Sequence, residues 1–315
     1  MRWTGKIRFL FLAPAVIWVL AFTVFPLGYS LYLAFYKIEQ KVEVKREKQP
    51  MLDAAGQPVL DDAGQPRTKN VVIKEQVNTA TFIGLDNFKR MLTDTQVHEA
   101  VRVTLTFVLI AVPLELALGF LLAVLFNQHI FGRPILRAIM ILPIFATPLA
   151  VGYTFFTIFY EVGGPLAWTG IPFLSNPTWA LMSVIIVDVW QWTPFCFLVF
   201  LAALQGVPDE LYEAARVDGA NAWDMLKEVM LPLLIPTIVI VLLLRMAEAL
   251  KLFDIPFALT GGGPGVATQP FSMLAFRTGL RFFDLGYASA MSYAFLAVIM
   301  IVITLFFRRL RANYG

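Results

Sequence analysis

The chain has 315 residues, 58% of them hydrophobic and 15% charged, with a formal net charge of +3. A soluble domain carries about 25% charged residues, so the composition excludes an ordinary soluble protein and implies a polytopic membrane protein. The small net charge gives no support to a nucleic-acid partner, and one cysteine, Cys196, excludes an internal disulfide framework.

In chain order, Phe9 to Tyr36 carries no charge and follows Arg2, Lys6 and Arg8. It is long enough to cross a hydrocarbon core of roughly 30 Å, which needs about 20 residues as helix. It is also too long for a signal-peptide core and has no clear small-x-small cleavage site, so an uncleaved first span is expected. Residues 37–99 then hold ten basic and ten acidic residues and a repeated AGQP, at 55–58 and 63–66. The alternating VEVK and NVVIK around the repeat are compatible with a small hairpin or with a disordered linker.

Further spans are expected at about Val103 to Phe126, Ile135 to Tyr160, Trp179 to Leu204, Leu231 to Leu250 and Leu285 to Phe307, six in all. Apart from Arg137 at the inner end of the third, the ionisable groups in them are Glu115 in the second, Asp188 in the fourth, and Arg245 and Glu248 in the fifth. Such groups are costly in lipid and are functional-site candidates by default. Asp188 lies in VDVWQWTPF beside Trp190, Gln191 and Trp192, and carboxylate, amide and indole suit a polyhydroxylated ring solute. The alternatives are interfacial anchoring by the tryptophans and pairing of Asp188 with a neighbouring helix. Arg245 and Glu248, three residues apart, are expected to pair with each other, with a solute contact by Glu248 as the minor reading. Glu115 reads as a polar contact between helices. His98 and His129 lack ligand spacing, so no metal site is expected.

Lys and Arg fix the orientation. With the N-terminus inside, the short inner segments hold Arg2, Lys6, Arg8, Arg133, Arg137, Arg216, Lys227, Arg308, Arg309 and Arg311, against Arg277 and Arg281 outside. Both termini are therefore expected in the cytoplasm, together with the polar loop at 205–236. In that loop Pro208, Asp209 and Glu210 suit a helix start. Gly219 suits a turn, and Asn221 with Asp224 suits the cap of a second helix. The glycine-rich TGGGPGVATQ, residues 260–269, is expected to be a turn or re-entrant connection. No G-x-x-x-x-G-K-[ST] phosphate loop occurs in the sequence.

Glu213-Ala214-Ala215, Gly219, Val229 and Leu231-Pro232 keep the register of the EAA motif. The chain resembles the membrane-spanning subunits of binding-protein-dependent ABC importers. FIGLDNFKRML (82–92), EALKLFDIPFALTGGGPG (248–265) and LGYASAMSY (285–293) are similar to the sugar-permease branch, the relatives of the maltose permease. The likeness covers nearly the whole chain except about 42–79. It implies an all-α type I importer permease fold: a first span in 1–36, an extracytoplasmic insertion at 37–99 and a permease core at 100–315.

It further implies that Glu213, Ala214, Ala215, Asp218 and Gly219 dock on an ATPase subunit. The other implied partners are a second permease subunit, a second ATPase and an extracytoplasmic solute-binding protein. The features shared with the maltose permease favour a heterodimer of permeases. ATP and Mg would be used by the ATPases, with no cofactor on this chain, in a bacterial or archaeal inner membrane. Carbohydrate is the implied solute, as sugar, oligosaccharide or polyol. The rival reading is an ion-coupled secondary transporter using Asp188, Glu115 and Glu248, against which stand the EAA loop and the lack of an evident internal repeat. A membrane enzyme finds no support, because no zincin or nucleophile-histidine pattern is present.

Overall fold

The computed structural model describes residues 5–50, 68–128 and 131–314. The described residues fall into two compact units, one drawn from 5–89 and 278–290 and the other from 90–277 and 291–314.

In the first unit, α1 (Gly5–Val19) and α2 (Phe25–Leu33) are joined through a π-helical stretch, Leu20–Val24, into one apolar run. Its 23 residues from Phe11 to Leu33 are long enough to span a bilayer. Two antiparallel strands follow, β1 (Tyr36–Pro50) and β2 (Thr68–Phe82), paired from Tyr36 opposite Phe82 to Pro50 opposite Thr68. Of the two alternatives for this segment, paired strands are the one observed, while the AGQP repeats lie outside the described residues. The foot of the hairpin is fixed by Asn87, whose amide donates to the carbonyls of Ala34 (2.9 Å) and Tyr36 (3.2 Å). Gly286 packs on the Tyr36 carbonyl so closely that a Cβ would collide with it.

The second unit holds most of the long helices. After α3 (Asp86–Thr93), the Asp94 carboxylate accepts from the Gln96 backbone and starts α4 (Thr95–Asn127). At 33 residues, α4 is about 50 Å long. Its main partner is α7 (Pro177–Gln205), capped by the Asn176 side-chain Oδ1, which accepts from the backbone N–H groups of Thr178 and Trp179. The two helices meet so closely that a Cβ on Gly119 would come within 2.5 Å of the Cys196 Cβ. Phe126, Phe197, Phe200 and Leu204 fill the space around that contact.

Between them the expected third span is not one helix. It is α5 (Arg133–Phe145) and α6 (Pro148–Phe159), bent by 100°. The cause is Pro148: the residue before a proline is driven out of the helical region, and Thr147 is extended at φ −67, ψ 138. Counted as one span, the pair brings the total of candidate spans among the described residues to six, beside five helices long enough by themselves.

The polar loop forms α8 (Asp209–Val217), a glycine turn and α9 (Ala222–Asp224). The latter runs on through a π-helical stretch, Met225–Met230, into α10 (Leu231–Leu250). The second loop helix and the fifth span are thus one continuous element, where a separate short helix was expected. The short helices α11 (Asp254–Leu259) and α12 (Phe271–Phe276) flank the glycine-rich turn, and α13 (Leu285–Tyr314) is the last element, its Phe295 ring stacked 4.4 Å from that of Phe271. That turn is held by Arg277, which donates to the Gln269 side chain and the Gly261 carbonyl.

Candidate functional site

Three spanning helices each bring one ionisable side chain to a common point. Arg245 on α10 is 2% exposed, Glu115 on α4 is 0% and Asp188 on α7 is 3%. Arg245 donates from Nε to Glu115 Oε2 at 2.5 Å and from Nη2 to Glu115 Oε1 at 2.9 Å. Its Nη2 also donates to Asp188 Oδ2 at 3.0 Å. The guanidinium lies 4.4 Å from the ring centre of Trp192, a cation–π contact. Two hydrogen bonds in a fork hold Glu115, whereas Asp188 has one, so the cluster is asymmetric.

This corrects the expected Arg245–Glu248 pair. On α10 the Arg245 side chain turns inward, toward α4 and α7. Glu248 is exposed and accepts from Lys251 Nζ at 2.9 Å. The reading of Glu115 as a contact between helices agrees with the geometry.

A polar cavity of about 100 Å³ opens beside the cluster, with Asp188, Trp192, Arg245, Glu248, Lys251 and Asp254 on its walls. Asp188, Trp192 and Glu248 of the sequence candidates are therefore gathered in one place. Trp190 and Gln191 are not. Trp190 points the other way, its ring 5.1 Å from that of Phe155, along an apolar groove of about 730 Å³ between α4, α5 and α7. Gln191 is buried and donates from Nε2 to the Ala146 carbonyl at 2.8 Å, in the bend between α5 and α6. Helix ends leave carbonyls without intrahelical partners, and this amide supplies one. Sequence reasoning gave Lys251 and Asp254 no site role, because Lys251 stands at the very end of the fifth span and Asp254 lies beyond it.

The loop candidates form a second locus. Asp218 ends α8 and Gly219 adopts φ +83. The Ala220 N–H bonds the Ala215 carbonyl at 2.9 Å and the Gly219 N–H bonds that of Arg216 at 3.1 Å. This pair of bonds is a Schellman closure, which requires the left-handed backbone that glycine allows. Asn221 accepts from the backbone of Trp223 and Asp224, and Asp224 accepts from the Asn221 N–H, completing the expected capping box. Glu213, Ala214, Asp218 and Gly219 are exposed and Ala215 is half-buried. Val217 and Trp223, both missed as candidates, are 87% and 67% exposed. A groove of about 800 Å³ lies between this loop and the end of α4, bordered by Asn127, Gln128, Asp209, Glu213 and Arg216. His98 contacts the Leu92 carbonyl. His129 lies outside the described residues.

Long apolar helices around a buried ionic cluster, with a capped helix–turn–helix running straight into one of them, define a polytopic membrane-protein architecture. The chain belongs to the family of binding-protein-dependent transport system inner membrane components, which it matches over residues 103–314. It is 41% identical over 229 residues to a probable ABC transporter permease protein of Sinorhizobium fredii, covering 70% of this chain and 74% of that one. To the trehalose/maltose transport system permease protein MalF of Thermococcus litoralis it is 38% identical over 219 residues, covering 67% and 74%. Its fold is that of a bacterial ABC transporter involved in the import of the acidic polysaccharide alginate, at TM-score 0.75 and 24% identity over 98% of this chain and 96% of that one. It is therefore a permease of the type I importer fold.

Proposed function

We propose that this chain is one of two permease subunits of an ATP-driven importer for a carbohydrate, delivered by an extracytoplasmic binding protein. The observation that carries the proposal is the loop from Pro208 to Asp224. Its shape is fixed by its own caps, its outer face is exposed, and it continues without interruption into the helix that bears Arg245. A partner pressing on the loop thus acts on a rigid rod that ends at the polar cavity.

On this reading the loop faces the cytoplasm with both termini, as the distribution of Lys and Arg favours, in a bacterial or archaeal inner membrane. Glu213, Ala214, Ala215, Asp218 and Gly219 meet a separate ATPase subunit, of which two use ATP and Mg. This chain itself holds neither. The small alanines allow close approach and the acids offer charge pairing. The carbohydrate assignment rests on the relatives' names and on Trp192, whose flat ring lines a cavity with hydrogen-bonding groups. At about 100 Å³ the cavity is smaller than a usual ligand site of roughly 300 Å³ or more. A second, non-identical permease subunit would complete it.

Reconstitution tests the proposal. The chain, co-expressed with an ATPase and a second permease, should purify as a complex that takes up sugar into vesicles only with ATP and the binding protein. Uptake by the isolated chain driven by an ion gradient would reject it in favour of a secondary transporter.

A further inference from the structure

The charges around the cavity do not balance. Asp188, Glu248 and Asp254 line it with Arg245 and Lys251, and Glu115 lies just behind Arg245. Among the described residues, four carboxylates thus face two cations. Both cations are already engaged, Arg245 by Glu115 and Asp188 and Lys251 by Glu248. A hydroxyl group entering the cavity can accept from or donate to these pairs without breaking them. An anion reaching Lys251 or Arg245 through their remaining N–H donors would sit beside the carboxylates already paired with them, which would repel it at close range.

We propose that this cavity admits neutral polyhydroxy solutes and excludes anionic ones such as sugar phosphates and uronic acids, with Glu248 and Asp188 as the selectivity-determining groups. The inference rests on the carbohydrate reading above and deepens it. The two carboxylates act differently. Asp188 is held by a single bond from a guanidinium that Glu115 already grips by two, so it is the acceptor that can turn to a solute hydroxyl while Arg245 stays in place. Glu248 screens Lys251, which stands on the cavity wall outside the buried cluster.

Equilibrium binding to the purified full complex without its binding protein tests this, because selection by the binding protein is then removed. The probes are maltose and trehalose, each with its phosphorylated form. Wild type should bind the neutral sugar about tenfold or more tightly than the phosphate, as expected of like charges meeting in a partly dry site. Glu248→Gln frees Lys251 and should shrink that ratio toward one. Lys251→Gln should widen it, and Glu248→Asp should restore it.

Since the ratio within each variant is read, a general loss of affinity does not imitate the effect. Glu248 and Lys251 are both exposed, so the variants are expected to fold. Equal binding of neutral and phosphorylated sugars by wild type, or a ratio unmoved by Glu248→Gln, overturns the exclusion and leaves the carbohydrate reading standing. Binding of neither form by this cavity overturns its assignment as the site that selects the solute.

Discussion

Arg245 lies between two carboxylates, and the three members of that cluster are not equivalent under substitution. Arg245→Met would leave Glu115 and Asp188 buried, like-charged and without their donor. Breaking a buried pair in this way costs about 3–5 kcal/mol. Glu115→Gln leaves a balanced Arg245–Asp188 pair with an amide that can still accept one bond, and should cost less. Thermal unfolding of the purified protein in detergent should rank them in that order, and equal losses would show that the charge balance is unimportant.

Glu161, outside the spans, gives a second prediction at the same scale. Its Oε1 accepts from the backbone of Leu174 and Ser175, each at 2.8 Å, and these donors hold its carboxyl below the usual range. A depressed native value means that the stabilisation is complete above the ordinary carboxylate pKa of about 4.3 and is lost as pH falls through the native value. Wild type should therefore lose more thermal stability than Glu161→Gln on acidification from about pH 6 to about pH 3.

Among the elements, the Gly219 turn and the break at Thr147 show two ways in which local chemistry sets geometry. At Gly219 the left-handed backbone strains any residue with a Cβ, and a β-branched one most. Gly219→Val should abolish ATP-driven uptake while the protein still inserts into the membrane, and Gly219→Asn should keep a substantial part of it. Uptake at wild-type rate by the valine variant would remove the turn from coupling. Asn221→Ala removes a cap worth about 1 kcal/mol and should lower loop order, read as faster hydrogen exchange over residues 222–226.

The EAA register and both caps were legible because they depend on neighbours within a few residues. The break at Thr147 was less so. Pro143 and Pro148 stand in a continuous apolar run, and hydropathy alone cannot separate a kinked span from a broken one. What stabilises the break is Gln191, 45 residues away, which supplies a donor to the Ala146 carbonyl.

For the whole molecule, the hairpin and the bundle call for different expectations. The ribbon from Tyr36 to Phe82 is held at its foot by Asn87, and a two-stranded hairpin has little stability of its own. Replacing residues 39–79 by a two-residue Asn-Gly turn joins Ile38 to its partner Ala80. That variant should insert and unfold at the wild-type temperature, as measured in detergent. A large fall in that temperature would mean that the ribbon helps to hold the fold. In the permease core, by contrast, α4, α7 and α10 are cross-linked at one point by Arg245, so loss of that point loosens three spans together.

The sequence by itself determined the membrane class, the order of the apolar runs, the helix–turn–helix of the loop and its glycine. Each follows from composition, from hydrophobic run length or from short-range capping, all properties of contiguous residues. The tertiary structure alone decided which charges meet. Glu115, Asp188 and Arg245 are separated by 57 to 130 positions, and Arg245 is closer in sequence to Glu248 than to either of its partners. On an isolated helix the local pair would be the natural choice. Helix packing settled it the other way, because a guanidinium carried into the interior of a bundle needs its carboxylates there, and only the neighbouring helices could supply them.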